Sequence, residues 1–504
     1  MKRLILIPIL AFFCAPVFAD TFNIKAYGAK ENQLSTVAIQ KAVDACHQSG
    51  GGTVLVPSGT FITGTIELKS FVELHLEQGA ILKGSKNVSD YKETFRRHGI
   101  VFCLDAEQVS ITGEGIIDGS GTSFYDEKRN HVYPEFNKAL TRQKEGYMPE
   151  GTFFTDGPIE RIDAPGMTIT FYHCNQVTLK DFTLKDTPVW ATRIAYCDDV
   201  LVTGISILNN LMVPNSDGVH CTASRNVRIS DCDIRAGDDA IIVTGFALEE
   251  DIPGYAHSDQ GQYVHGNKSI YSENISVSNC LLQSRSAGIR VGYGQHPIRR
   301  CTFSNIVIYG SNRGIGIFAH DAAPIEELIF SDIIIESKLH NGQWWGNGEP
   351  IHLSSISRFD GEPAGQIRHV QFNNIIATGE AGILLYGQKE RRMEDIRFNN
   401  VQLKIVNGAE TLAYGGNFDL RPAADEKQRL FEHDIPGIYA QFVDGLIVHN
   451  FTLEWGEGLP GFFTDGIECL EVNKLSIEGF NGLANPGNPD SQKLKLINTH
   501  VMDN

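Results

Sequence analysis

The sequence has little positive charge and, after residue 19, no long hydrophobic run. Its 43 Lys and Arg residues are outnumbered by 61 Asp and Glu residues, which gives a net charge of -18. Nucleic acids and anionic membranes are bound by basic surfaces, so neither is expected as a partner. No apolar stretch after residue 19 reaches the length of a membrane span. A polysaccharide or oligosaccharide, even an anionic one, stays open as a partner because a groove can be locally basic on an acidic protein.

Regular cysteine spacings are also missing. Of the ten cysteines, those that follow Cys14 are odd in number, and they are spread from Cys46 to Cys469 without the paired spacing of a metal site. A large core needs no covalent staples, so we expect buried thiols and no disulfide framework. No metal ion and no cofactor are predicted.

The N-terminus has the features of a secretory signal peptide. A basic start is followed by an apolar stretch at 4–13 and by small residues up to Ala19. We expect residues 1–19 to be removed on export to the periplasm or the exterior. The remaining residues, 20–504, are expected to form a single domain.

Most of the chain lacks the 3.6-residue periodicity of helices and shows the period of two that is typical of strands. Short segments with alternating apolar residues recur at intervals of about 23 to 27 residues. The interval from Asp231 to Asn279 and that from Asp332 to Asn374 are longer, which leaves room for a loop or an extra turn. Equivalent polar corners are Asp181, Gly204, Asp231, Asn279, Asn305, Asp332, Asn374 and Asn400. This pattern predicts a β-solenoid, and the fixed leucine spacing of leucine-rich repeats is absent.

One helix is predicted near the N-terminus. Ser35 can cap a helix whose apolar residues recur at helical spacing from Val37 to Cys46, and three glycines at 50–52 end it. Such a helix would cover the open end of the solenoid, as repeat stacks require. The expected fold class is all-β: a right-handed parallel β-helix with a short N-terminal capping helix.

Two acidic motifs lie about one coil apart, Asn-Ser-Asp-Gly at 215–218 and Gly-Asp-Asp-Ala at 237–240. Stacked strands are about 4.8 Å apart, so Asp217, Asp238 and Asp239 should share one face of neighbouring coils. Three crowded carboxylates cannot all ionise cheaply, and one should keep its proton beside a carboxylate base. Glycoside hydrolysis needs such an acid and such a base. For any single Asp, a structural role at a β-helix corner is the alternative.

The two motifs resemble those of glycoside hydrolase family 28, the polygalacturonases and rhamnogalacturonan hydrolases. Further similarity at 22–29, 51–57 and 186–190 extends the resemblance over most of the chain after the signal peptide, although these segments are shared with other pectin-active β-helices.

The resemblance implies roles for the three carboxylates. Asp238 would be the general acid, while Asp217 and Asp239 would hold the attacking water as the base pair. It also implies inversion of the anomeric centre. The expected substrate is a pectic polysaccharide or oligosaccharide.

Two motifs of the family are absent from this chain. Ser-Ala-Gly at 286–288 stands where the family typically has Gly-His-Gly, and Gly-Ile-Phe at 316–318 stands where it has the uronate-binding Arg-Ile-Lys. Other residues could substitute. An arginine can hold a carboxylate through two parallel hydrogen bonds, and a histidine near Asp217 could titrate with it. The candidates are Arg290, Arg313, Arg193 and His220, and a solvated charge or a structural histidine is the alternative for each.

A Trp-Trp-Gly-Asn-Gly-Glu-Pro segment at 344–350 is similar to segments of many bacterial relatives of the family. Because aromatic faces stack on sugar rings, we interpret Trp344 and Trp345 as sugar contacts and include Glu349 among the binding residues. An insertion at 246–273 could wall off one end of a cleft and favour attack at a chain end.

The sequence thus predicts a glycoside hydrolase. Two alternatives stay open. One is a polysaccharide lyase of similar fold, in which clustered Asp residues hold calcium and an arginine abstracts a proton. The other is a carbohydrate-binding solenoid without catalytic activity.

Overall fold

The chain winds into a right-handed parallel β-helix, which confirms the predicted fold class. The computed structural model describes residues 20–94, 96–131, 154–247 and 270–502. The predicted signal peptide lies outside these ranges.

One face of the β-helix is a sheet that we call the site sheet. Within the described residues it contains 13 parallel strands. They are Ile66–Leu68, Val101–Leu104, Ile169–Tyr172, Thr192–Ala195, Val219–Thr222, Ile241–Gly245, Ala287–Gly294, Arg313–Phe318, Ile351–Ser354, Ile383–Tyr386, Ile438–Gln441, Ile467–Leu470 and Leu494–Ile497.

The remaining faces belong to a second sheet, here the long sheet, with 21 strands in the described part of the chain. Most coils cross it either with two short strands or with one long strand. These strands are Thr21–Asn23, Gly52–Val56, Gly59–Thr63, Val72–Leu76, Ala80–Gly84, Glu107–Gly113, Ile116–Asp118, Asn175–Lys180, Thr183–Lys185, Asp198–Thr203, Ser206–Leu208, Arg225–Ser230, Asp233–Ala236, Ser272–Ser278, Leu281–Ser284, Ile298–Ser311, Ile325–Ser337, Ile367–Gly379, Met393–Ile405, Val443–Trp455 and Asn473–Glu478.

Smaller elements lie outside these sheets. Two antiparallel pairs join Tyr125–Asn130 to Ile159–Arg161 and Phe418–Asp419 to Leu430–Phe431. The short helices are Ile24–Tyr27, Val88–Asp90, Gly121–Phe124, Thr411–Tyr414 and Glu426–Gln428. No helix of the described ranges has the length and apolar character needed to cross a membrane.

The α-helix Thr36–Gln48 packs on the first coils and buries four apolar side chains from Ile39 to Cys46. The predicted helix is therefore confirmed, but its N-terminus differs from the expectation. Ser35 makes no capping hydrogen bond with its side chain. Its Oγ instead donates to the carbonyl oxygen of Gln33 at 3.0 Å, which leaves the hydroxyl engaged outside the helix.

The predicted polar corners all adopt the left-handed backbone conformation. Gly204 has φ of 65°, and the seven Asn and Asp corners have φ between 54° and 67°. Asn and Asp tolerate this conformation better than other residues with a Cβ atom. Corners also bond to each other along the stack, since the side-chain amide of Asn374 donates to Asp332 at 3.0 Å and that of Asn400 donates to Asn374 at 2.8 Å.

In the described part of the chain, no strand of the long sheet lies between the coils that flank either long interval of the repeat. Arg225 pairs directly with Glu273, and Glu326 pairs directly with Arg368, so the flanking coils are neighbours in the long sheet. In the interval from Asp332 to Asn374, the additional residues form the connections on either side of the strand Ile351–Ser354.

The core runs along the axis of the solenoid and is built from stacked side chains. Four phenylalanine rings form a continuous stack with centroid separations of 4.7, 5.1 and 5.0 Å. They are Phe303, Phe330, Phe372 and Phe398. The nine cysteines of the described residues are buried and free, which confirms the expected thiols.

Candidate active site

The two acidic motifs occupy equivalent places in neighbouring coils, each just before a strand of the site sheet. Val219 pairs with Ile241, and the amide of Gly218 donates to the carbonyl oxygen of Asp239 at 2.9 Å. Asp217 is therefore in register with Asp239, and Asp238 lies beside both. The stacking of coils brings the three carboxylates to one edge of the site sheet.

All three carboxylates line one pocket of about 510 Å³. Its other lining residues are mainly aromatic and cationic. The aromatic residues are Trp190, Phe246, Tyr293, Phe318, Trp345 and Phe359. The cationic residues are Arg290, Arg313, Arg358 and Arg429. On a protein of net charge -18, four arginines thus share the lining of one cleft with the three aspartates.

Asp238 is set up to keep a proton near neutral pH. Burial, and then the negative charge of Asp239, raise the pKa of Asp238 to about 7, while Arg290 opposes the rise. Its Oδ1 accepts a hydrogen bond from the amide of Asp239 at 3.0 Å, and the Asn215 side-chain amide lies 3.5 Å from Oδ2. A carboxyl group in this environment can act as a proton donor.

Asp239 is held from two sides. Its Oδ2 lies 2.6 Å from Nε of Arg290, and its Oδ1 accepts a hydrogen bond from the amide of Ala287 at 2.9 Å. The Ser-Ala-Gly segment that replaces the expected histidine motif thus supplies a backbone donor to Asp239. The guanidinium of Arg290 also lies 5.1 Å from the ring centre of Tyr293. Arg290 therefore lines the pocket, and its charge is paired with Asp239.

Asp217 is buried and backed by His220. Burial and the charges of Asp238 and Asp239 raise the pKa of Asp217 well above its usual range. Nδ1 of His220 lies 3.3 Å from Oδ2 of Asp217. Burial and the nearby arginines hold the pKa of His220 well below its usual range. The His220 ring stacks on Trp190 with 3.8 Å between centroids, so it supports Asp217 from behind and does not line the pocket.

Arg313 and Arg193 differ in their placement. Arg313 lines the pocket but is only 2 % exposed. Its guanidinium is engaged within the protein, since Nη2 donates to the carbonyl oxygen of Asp419 and Nε lies 3.5 Å from Glu349. Arg193 is 1 % exposed and packs beside the rings of Tyr172 and Trp190. The structure does not support the interpretation of Arg193 as a binding residue, because Arg193 is buried outside the pocket lining.

The tryptophan motif is divided between the core and the pocket. Trp345 lines the pocket, whereas Trp344 is 1 % exposed and its Nε1 donates to the carbonyl oxygen of Asp156 at 3.1 Å. Glu349 is fully buried against Arg313 and His352. Trp344 and Glu349 are therefore not in reach of a sugar in the pocket, because both face into the protein.

A buried ionic network fixes the position of Trp345. The guanidinium of Arg421 donates to both oxygens of Asp419 at 2.7 and 3.0 Å, and its carbon lies 5.4 Å from the Trp345 ring centre. The amide of Gly346 donates to Asp419 at 2.7 Å. These contacts join the tryptophan motif to the connection that carries Asp419.

Sequence reasoning missed six residues of the pocket, which are Tyr293, Arg358, Phe359, Pro422, Ala423 and Arg429. Tyr293 could have been predicted from the sequence, because it follows Arg290 on the same strand. Arg358, Phe359 and Arg429 lie in connections where the repeat pattern stops, and nothing in the local sequence marks them. The insertion at 246–273 is outside the described residues except at its ends, and Phe246 at one end lines the pocket. Within the described ranges, no three His, Cys, Asp or Glu side chains are arranged to hold a metal ion.

The chain is similar in sequence to known pectin-degrading enzymes. A "Probable polygalacturonase" of Vitis vinifera is 26 % identical over 228 residues, which cover 42 % of this chain and 41 % of that protein. The "Exo-poly-alpha-D-galacturonosidase" of Dickeya chrysanthemi is 29 % identical over 255 residues, which cover 44 % of this chain and 41 % of that protein. The chain thus spans less than half the length of these two relatives.

A solved structure shows the same fold. The family 28 exopolygalacturonase of Yersinia enterocolitica superposes with a TM-score of 0.62 at 17 % identity, over 96 % of this chain and 78 % of that one. The family profile described as "Glycosyl hydrolases family 28" matches residues 160–321, a segment that contains Asp217, Asp238 and Asp239. The chain is thus similar to glycosyl hydrolases family 28 over the segment that holds the three carboxylates, and its β-helix fold is that of the Yersinia enterocolitica structure.

Proposed function

We propose that this protein hydrolyses glycosidic bonds in a pectic polysaccharide or oligosaccharide, with inversion at the anomeric carbon. The observation that carries the proposal is the pair formed by Asp238 and Asp239. Burial and the charge of Asp239 raise the pKa of Asp238 to about 7, whereas Asp239 is ion-paired with Arg290. One carboxyl group can hold a proton while its neighbour is a carboxylate. This is the division of roles that glycoside hydrolysis requires.

In the proposed reaction, Asp238 donates its proton to the leaving glycosidic oxygen as the bond to the anomeric carbon breaks. A water molecule attacks the opposite face of that carbon and gives its proton to Asp239. Arg290 and the amide of Ala287 keep Asp239 in place for this step. Asp217 orients the water, and its Oδ1 has no hydrogen-bond partner among the described residues.

An acidic substrate fits the charge of the pocket. Arg358 and Arg429 line it in addition to Arg290 and Arg313, whose charges are engaged within the protein, and a uronate carboxylate is a suitable partner for a guanidinium. The named activities of the relatives, polygalacturonase and exo-poly-alpha-D-galacturonosidase, also concern galacturonate polymers. We therefore favour hydrolysis over a calcium-dependent lyase, and catalysis over binding without turnover.

Attack at a chain end is part of the proposal. The wall of the pocket includes Phe359, Pro422, Ala423 and Arg429, all from connections outside the repeating coils. Walls of this kind favour a terminal sugar over the middle of a long chain. Slow loss of viscosity together with rapid release of reducing ends would support this mode.

The test is incubation of the purified protein with pectic polymers and defined oligosaccharides, with products identified by mass spectrometry. Hydrolysis adds one water to the products, whereas a lyase gives unsaturated products that absorb in the ultraviolet. NMR of the first products reports the anomeric configuration and tests inversion. Asp238→Asn is the matched inactive control. Binding without turnover by the wild type would refute the proposal.

We further propose that the protein is exported. Support comes from the basic start, the apolar stretch at 4–13 and the small residues up to Ala19. Mass spectrometry of the protein recovered from its native cells should give an N-terminus at Asp20. A full-length cytoplasmic protein would refute this proposal.

A further inference from the structure

The cations suggested by the sequence do not provide a carboxylate clamp in this structure. Arg290 is paired with Asp239, Arg313 is buried against Asp419 and Glu349, and Arg193 is outside the pocket lining. The substrate side of the pocket therefore needs another cation if it is to bind a uronate. Arg358 is in the right place.

Arg358 is anchored from behind by a buried carboxylate. It lies in the connection after the strand Ile351–Ser354, and its Nε is 2.7 Å from Oδ1 of Asp321. Oδ2 of Asp321 accepts a hydrogen bond from the amide of Gly294 at 2.6 Å, which fixes this carboxylate in turn. The Arg358 side chain is 19 % exposed and lines the pocket. The anchor uses one edge of the guanidinium, so the other edge can bind a ligand.

Aromatic rings surround the same guanidinium. Its carbon lies 4.6 Å from the ring centre of Phe359, 5.1 Å from that of Tyr293 and 5.6 Å from that of Phe246. The rings restrict the side chain and exclude water from part of its surface. A guanidinium that is both fixed and partly desolvated binds a planar carboxylate more strongly than a mobile surface arginine does.

Arg358 lies across the site sheet from the three carboxylates. Asp217 and Asp239 precede their strands, whereas Phe246, Tyr293 and Asp321 are at or just beyond the ends of theirs. The Arg358 contacts are thus about one strand length away from the reacting bond. A sugar chain lying across the sheet would have one unit at the carboxylates and another beside Arg358.

We propose that Arg358, anchored by Asp321, is a specificity-determining residue that binds a uronate carboxylate of the substrate at the edge of the pocket opposite the three acids. This inference rests on the proposed function and adds a recognition site to it. Arg429 lines the same pocket and adds positive charge. Arg358, from a different part of the chain, would take the uronate-binding role of the absent Arg-Ile-Lys motif.

The test compares one uronate-containing oligosaccharide with the same oligosaccharide after reduction of its carboxyl groups to alcohols. Arg358→Ala should lower kcat/KM by roughly 30-fold on the acidic substrate, mainly through KM, and leave the neutral one unchanged. Arg358→Lys should lose less. Arg300→Ala is the matched control, since Arg300 pairs with Glu327 on the long sheet, away from the pocket. An equal loss on both substrates, or no loss on the acidic one, would overturn the inference.

Removal of Arg358 alone leaves the buried Asp321 without its cation, which could affect folding. The double variant Arg358→Gln with Asp321→Asn removes both charges and should show the same loss on the acidic substrate only. Binding measured by calorimetry in the Asp238→Asn protein separates the two proposals. If binding of the uronate depends on Arg358 but the wild type cleaves nothing, the hydrolase proposal fails and this inference stands. If the wild type cleaves but binding is insensitive to Arg358, this inference fails alone.

Discussion

Replacement of Arg290 by alanine should impair catalysis through Asp239. In the wild type the guanidinium Nε lies 2.6 Å from Asp239, deep in the pocket. Its loss leaves a buried carboxylate without its counter-ion next to two other acids. Truncation of one partner of a desolvated charge pair weakens transition-state binding by about 2–4 kcal/mol, or roughly 30- to 1,000-fold in kcat/KM.

The pH profile gives a second, independent readout of the same substitution. Arg290 opposes the rise in the pKa of Asp238 and of Asp217, so its removal should raise both further. Since Asp238 must be protonated to act as the acid, the alkaline limb of the kcat/KM profile should move to higher pH. Arg290→Lys keeps the charge and should shift the limb less.

Steady-state kinetics on the acidic and the carboxyl-reduced oligosaccharide completes the assay, with thermal melting as the control for folding. Arg290→Ala should lose activity equally on both substrates, because it acts on Asp239 and not on a substrate carboxylate. This is the opposite of the result expected for Arg358→Ala. An unchanged kcat/KM with an unchanged alkaline limb would refute the reasoning.

Further substitutions separate catalysis, sugar contact and stability. Asp238→Asn should remove nearly all turnover with the fold intact, because an amide cannot donate the required proton; wild-type rates in this variant would eliminate the assigned acid. Wild-type activity should fall as the pH rises through about 7, where Asp238 loses its proton, and a profile that is flat through neutral pH would contradict this role. Trp345→Ala should raise KM with little change in melting, whereas Trp344→Ala should cost about 3–5 kcal/mol of unfolding free energy, as measured by denaturant titration. Glu349→Gln should cost about 3–5 kcal/mol in the same titration, because it removes the carboxylate beside Nε of the buried Arg313.

The repeat pattern was sufficient to predict the architecture. The polar corners from Asp181 to Asn400 were located by their spacing, and each adopts the left-handed conformation that such a corner needs. The capping helix was found from its apolar spacing, although the role of Ser35 as a side-chain cap was wrong. Corners and strands can be predicted because both depend on short-range backbone preferences that neighbouring residues reveal.

The grouping of Asp217, Asp238 and Asp239 followed from the same periodicity. In a solenoid, residues one coil apart in sequence are neighbours in space, so the distance along the chain reports the distance in the fold. The hydrogen-bond and ion-pair partners of each side chain could not be predicted from the spacing. Arg290 was expected to lie near the substrate, but its ion pair with Asp239 could not be predicted, since side-chain partners depend on which atoms meet across coils.

The coil, its corners and the juxtaposition of the three acids could be predicted from the sequence, because they depend on periodic contacts between adjacent turns. The other residues that complete the pocket became known only from the folded structure. Trp344 is buried while its neighbour Trp345 is in the pocket, and Arg358 and Arg429 reach the site from connections outside the repeat. The positions of such connections are set by long-range packing and buried ion pairs, such as those of Asp419 and Asp321, and no local pattern encodes them.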